Sequence, residues 1–212
     1  MLKKAQFLAL IPILFGSLSF AHPVSCKGGY SFMAFNQSDM FDWQLLYTFH
    51  PKHALGVDFI RDTMEPQERY FLIPRLSWLV HRWNEFESQA NIYVYGGVGI
   101  ARKGDRTELA AEGAIEADYE TRKIYFSGKA TAVAARNFDT LAIYQLRAGF
   151  APYVGEANDL HAWLIGQFQY LPFAPEESFR FGPVLRMFYK NVLWELGVTT
   201  KGSWNFNFMV HW

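Results

Sequence analysis

The last nine residues of the chain constrain its fold more than any other stretch. Trp204, Phe206, Phe208, Val210 and Trp212 place a large apolar side chain at every second position, with Asn205, Asn207, Met209 and His211 between them. A period of two lines those residues up on one face of a β-strand, whereas a helix would scatter them around its axis. Half of the residues are hydrophobic, yet beyond residue 22 no apolar run reaches the ~20 residues that a spanning helix needs. The hydrophobicity is dispersed by alternation, which is the arithmetic of strands.

The alternation recurs upstream. Tyr30, Phe32 and Ala34 form one apolar row, Trp43, Leu45, Tyr47 and Phe49 a second, and Leu55, Val57 and Phe59 a third. Rows follow at Tyr70–Val80, Ile92–Ile100, Leu109–Tyr119 and Ile124–Ala132. The last five run over 142–150, 162–170, 181–187, 192–198 and 204–212. Segments such as Asn36-Gln37-Ser38-Asp39, Lys103-Gly104-Asp105-Arg106 and Lys201-Gly202-Ser203 read as turns between them. The count is about twelve strands (10–14), each long enough to cross a bilayer at a barrel tilt, with 152–160 the least clear stretch. The final strand, ending on an aromatic residue of the apolar set, resembles the C-terminal strand of bacterial outer-membrane β-barrel proteins. That resemblance implies an all-β fold, a single closed antiparallel transmembrane barrel set among outer-membrane lipids. It also implies the barrel-assembly machinery as a partner during biogenesis.

A soluble barrel buries its large residues inside, but a barrel of about twelve strands is too wide to fill with apolar side chains alone. The rows between the apolar ones carry Asp, Glu, Lys, Arg, Asn and Gln, so polar-in and apolar-out is the expected arrangement. Parity then sends Asp42, Asp58 and Glu195 into the lumen, with Arg75, Arg147, Arg180 and Arg186. A turn at Tyr119-Glu120-Thr121-Arg122 points Glu112, Glu116 and Asp118 inward from one strand and Lys123 and Lys129 from the next. In that register Glu112 faces Lys129 and Asp118 faces Lys123, and opposite charges directly across an antiparallel pair stabilise it. Loops are short on both sides, the longest near Thr63–Glu68 and Pro172–Glu177, which argues against a plug or an extended adhesive surface.

The N-terminal 21 residues read as a signal peptide. Lys3 and Lys4 precede an apolar run from Phe7 to Phe15, and Ser19 and Ala21 occupy the −3 and −1 places of a small-residue cleavage site. Cleavage after Ala21 leaves 22–212 as one barrel domain. Without Lys3 and Lys4, 18 basic side chains stand against 20 acidic ones, which excludes the clustered positive charge that nucleic acid requires. Cys26 is the single cysteine, so no internal disulfide holds the chain.

All six histidines fall at one end in this topology, the end expected to face the periplasm: His22, His50, His53, His81, His161 and His211, with Cys26 beside them. Imidazole and thiolate are ligands of copper and zinc, so a periplasm-facing metal-handling protein is one functional expectation. The leading one is a narrow channel or structural barrel for small polar solutes. A lipid hydrolase is a third, but Ser77 and His81 stand ~13 Å apart along a strand, too far for a nucleophile and its base. No catalytic set emerges.

Overall fold

The computed structural model describes residues 23–64, 67–156, 158–174 and 177–212. The expected signal peptide and His22 lie outside the described residues. Among those described, twelve strands follow one another: β1 (Tyr30–Gln37), β2 (Met40–His50), β3 (His53–Asp62), β4 (Arg69–Asn84), β5 (Ser88–Lys103), β6 (Arg106–Thr121), β7 (Ile124–Ala135), β8 (Leu141–Phe150), β9 (His161–Tyr170), β10 (Phe179–Tyr189), β11 (Val192–Val198) and β12 (Trp204–His211). Each pairs antiparallel with its sequence neighbours, and β12 returns to β1 to close the barrel. The seam runs from Ser31↔His211 to Gln37↔Asn205. Closure removes the open edges that lipid cannot satisfy.

The rim that carries Tyr30 and Trp212 is called inner here, and the opposite one outer. The outward face is a continuous apolar belt: Leu55, Leu109, Ile115, Phe126 and Leu146 are each at least half exposed. Water penalises such a surface by roughly 25 cal/mol per Å², so the solvent this wall fits is hydrocarbon. Aromatic residues gather toward its edges. Trp212 stacks on Tyr30 (6.1 Å) and His53 on Trp78 (6.2 Å) at the inner rim, and Trp43 meets Phe59 toward the outer one.

Three features depart from expectation. The β6–β7 register is the first. Glu116 faces Lys129, Asp118 faces Ser127 and Glu112 faces Val133, so the expected Glu112–Lys129 and Asp118–Lys123 pairs do not form. The Thr121 hydroxyl accepts hydrogen bonds from the backbone N–H of Lys123 (3.1 Å) and Ile124 (2.9 Å), which moves the turn to Arg122-Lys123 and leaves Lys123 exposed there rather than in the lumen. The shift is an even number of residues, so the inward set of both strands is otherwise preserved. Second, the longest connection is residues 151–160, between β8 and β9 on the inner side. Third, bulges at Thr48/His50 and Leu79/His81 break the parity of β2 and β4 near the inner rim.

The lumen is not uniformly polar. Met40, Ile60, Phe71, Ile73 and Val133 form an apolar cluster on the outer side. Met33, Leu46, Leu79, Tyr93, Leu193 and Met209 form another on the inner side, and Val24 joins it. Residues 23–29 thus tuck into the inner mouth, pinned by Gly28 N–H to Thr48 carbonyl (2.7 Å) and Ser25 N–H to the Thr48 hydroxyl (3.1 Å).

Candidate functional site: the charged lumen

The inward side chains separate into two charged groups on different walls. On β2, β3 and β4, Arg75 is the hub: its guanidinium donates to Asp58 (2.6 Å) and to the Gln44 side-chain oxygen (2.8 Å), with Glu112 at 3.9 Å and the Tyr95 ring 4.4 Å beneath it. Gln44 in turn donates to both oxygens of Asp42 (3.0 and 2.8 Å). Lys129 lies over the rings of Phe35 (5.2 Å) and Tyr95 (5.4 Å). Among the described residues of β2 to β7, four carboxylates here, Asp42, Asp58, Glu112 and Glu116, stand with two cations, Arg75 and Lys129. Asp118 lies further toward the inner rim, accepting from Asn91 (2.7 Å).

On β8 to β12 the balance reverses. Glu195, with no exposed surface, accepts two bonds from Arg147 (3.0 and 2.8 Å), one from Arg186 Nε (2.6 Å) and one from Asn207 (2.7 Å). Arg147 also donates to Gln167 (2.8 Å). Two guanidinium groups therefore share one carboxylate. The contacts reach across β9 and β10, so they brace the wall as well as charge it.

The outer rim carries a third set. Arg180 donates to both oxygens of Asp39 in the β1–β2 turn. Arg69 binds Asp62 and also reaches the Asp139 carbonyl (2.5 Å) in the β7–β8 loop. Phe138 and Met64 pack against the apolar cluster below. These ties draw turns and loops inward over the outer mouth. Outside the wall at the same height, Arg61 donates to Glu68 (2.5 Å); that bond and one from Tyr70 hold the Glu68 carboxyl below its usual pKa.

Of the twelve residues expected to charge the lumen, the structure turns eleven inward and leaves Lys123 in a turn. The metal-ligand candidates are divided. His50, His53, His81, His161 and His211 all lie toward the inner rim, and Cys26 is exposed near it. His211 points inward, its Nδ1 sharing a hydrogen bond with the Ser31 hydroxyl (2.6 Å). The Leu79/His81 bulge puts His81 on the outer face, opposite Ile92. His50 and His53 meet, Nδ1 to Nδ1, at 3.1 Å. Among the described residues no group of three or more His, Cys, Asp or Glu is placed to hold a metal ion.

Sequence parity missed Arg82, Glu120, Trp163 and Phe188. The β4 bulge brings Arg82 inward to Asn91 (2.6 Å). Trp163 and Phe188 sit at inward parity in their own strands, but a wall expected to be polar inside and apolar outside gives large aromatic residues no place in the lumen.

A cavity of about 610 Å³ runs along this lumen. Its lining extends from Phe86, Arg122 and Val154 at the inner side to Gln37, Met40, Leu141 and Asn205 toward the outer side. It passes Lys129, Arg147 and Arg186 on the way.

No protein-family profile matches the chain, and no curated protein matches it in sequence. Solved structures match in shape. KdgM porin in complex with disordered oligogalacturonate superposes with a TM-score of 0.50 at 9% identity, covering 87% of this chain and 98% of that one. A second KdgM porin structure gives 0.45 at 9% identity over 87% and 98%. OmpT of Vibrio cholerae gives 0.32 at 9% identity over 87% and 96%. With a closed twelve-stranded wall, an apolar outer belt and a charged interior, the chain has the fold of the bacterial outer-membrane β-barrels.

Proposed function

We propose that this protein resides in the outer membrane and that its lumen is a narrow pathway for small polar solutes. The observation that carries this reading is the cavity lined by both charged walls along most of the barrel's height. Arg180 and Arg69 tie the β1–β2 turn and the β7–β8 loop to the outer rim of that pathway. KdgM porin, which shares the fold, is known as a porin holding an oligogalacturonate. Planar-bilayer recording of the purified barrel tests the reading. Small, discrete conductance steps are expected; a silent bilayer containing folded protein rules out an open pathway.

A second reading, periplasmic binding of copper or zinc, has one observation in its favour. The Nδ1 atoms of His50 and His53 are 3.1 Å apart, a separation that suits two imidazoles on one metal at bonds of ~2.0–2.1 Å. Calorimetric titration with copper and zinc tests it, and binding no tighter than micromolar removes it.

A further inference from the structure

Toward the inner end of the cavity, opposite charges stand near each other without pairing. Arg186 gives only its Nε edge to Glu195, at 2.6 Å. The rest of its guanidinium lies 4.2 Å over the Tyr125 ring, and among the described residues no carboxylate takes a hydrogen bond from its two terminal nitrogens. With Arg147 on the same carboxylate, this wall holds a surplus positive charge on the cavity surface. Glu120 is the cross-strand partner of Tyr125, so its carboxylate reaches the cavity beside the ring on which Arg186 rests. Its Oε1 is buried and accepts no hydrogen bond among the described residues. The cations that act on it through space are Arg186 and Arg82. Around the pair the surface is aromatic. Trp163 is the cross-strand neighbour of Arg186 and meets Tyr125 edge-on at 6.3 Å, and Phe188 follows on the same face of β10.

A guanidinium fork, a carboxylate with a buried oxygen that accepts no hydrogen bond among the described residues, and an aromatic wall in one cavity define a ligand. We propose that this part of the lumen binds a small zwitterion of the amino-acid type with an apolar or aromatic body. Its carboxylate takes the terminal nitrogens of Arg186, where a bidentate bond is strongest. Its ammonium takes Glu120, and its apolar body lies against Trp163 and Phe188. A simple anion would leave Glu120 unpaired and repelled, and a simple cation would meet the surplus charge of Arg147 and Arg186. Net neutrality with separated charges is what the site selects. The inference concerns the lumen proposed above as a pathway, but it is read by binding and holds whether or not the barrel conducts.

The test is calorimetry on the folded full-length barrel with three probes of one shape: L-phenylalanine, 3-phenylpropanoate and phenethylamine. Charge-assisted hydrogen bonds separate the probes by roughly tenfold or more, so L-phenylalanine is expected to bind that much more tightly than either analogue. R186Q weakens both carboxylate probes by roughly tenfold. E120Q removes the advantage of L-phenylalanine over 3-phenylpropanoate without weakening the latter, and its change is isosteric on a side chain whose buried Oε1 accepts no hydrogen bond among the described residues. The proposal is overturned if L-phenylalanine binds no better than the analogues, if its advantage survives in E120Q, or if no heat is seen at about 10 mM, beyond the range of specific binding.

Discussion

Replacing Glu195 by Gln tests the energetic core of the barrel interior. The carboxylate is fully buried and receives four hydrogen bonds, three of them from Arg147 and Arg186. Gln keeps the shape and one acceptor but removes the charge that both guanidinium groups share. Breaking a buried ion pair at one partner costs about 3–5 kcal/mol, because the surviving charge stays desolvated. Here two cations survive, which raises the cost, but both touch the cavity and can recruit water, which lowers it. The lower end, about 3 kcal/mol, is the expected loss. With an m-value of roughly 2–3 kcal/mol/M, the urea midpoint falls by about 1–1.5 M. The assay is urea titration of barrels folded into phospholipid vesicles, followed by tryptophan fluorescence. A second variant isolates the cause: in R147M/R186M/E195L none of this cluster's buried charges remains, so most of the lost stability is expected to return. The reasoning is refuted if E195Q leaves the midpoint within about 0.3 M of the parent, or if the triple variant is no more stable than the single one. E68Q is the control, since its pair with Arg61 lies on the exposed rim and its loss leaves the midpoint unmoved.

Three further outcomes follow from the geometry. I115R places a charge on the exposed outer face near mid-strand of β6 and is expected to cost about 2–4 kcal/mol of folding stability in vesicles; a neutral result would mean that this face does not meet lipid. G97A sets a methyl group 1.9 Å from the Pro74 carbonyl oxygen, whereas G113A meets nothing within 4 Å. The first is therefore expected to destabilise by about 1–3 kcal/mol and the second to be silent, and equal effects in the same titration would contradict the β4–β5 packing. D39A frees Arg180 from the β1–β2 turn and is expected to raise single-channel conductance; an unchanged step size would show that this rim tie does not limit the pathway.

The strands were legible because a wall between lipid and water imposes period two on every residue it contains. Trp204 to Trp212 and Leu55 to Phe59 carry that pattern without interruption, and strand number and closure followed from it. Register was less legible, since it is set by single turn residues. Thr121 decides the β6–β7 pairing through one hydroxyl, and nothing in the alternation distinguishes a turn at 119–122 from one two residues later. Bulges are equally local, which is why Arg82 and His81 exchanged faces. The interior was half legible. Charged residues at inward parity stood out, but Met33, Phe71, Tyr95 and Trp163 share that parity and were hidden by the assumption that a wide lumen is polar throughout. The contacts that give the site its chemistry, such as Arg147 to Glu195 over 48 residues of chain, join strands that stand on one wall but are not neighbours in sequence.

The strands differ greatly in length. β4, β5 and β6 have 16 residues each, while β1, β11 and β12 have 8, 7 and 8. At about 3.3 Å per residue and a tilt near 40°, a seven-residue strand rises only ~18 Å. The apolar band of a membrane barrel is usually ~25 Å tall. The bilayer must therefore thin beside the closing seam and relax to full thickness on the opposite side. Such a mismatch costs a fraction of a kcal/mol for each Å of thickness. It gives the barrel a preferred azimuth, the side on which neighbouring lipids with shorter chains fit best.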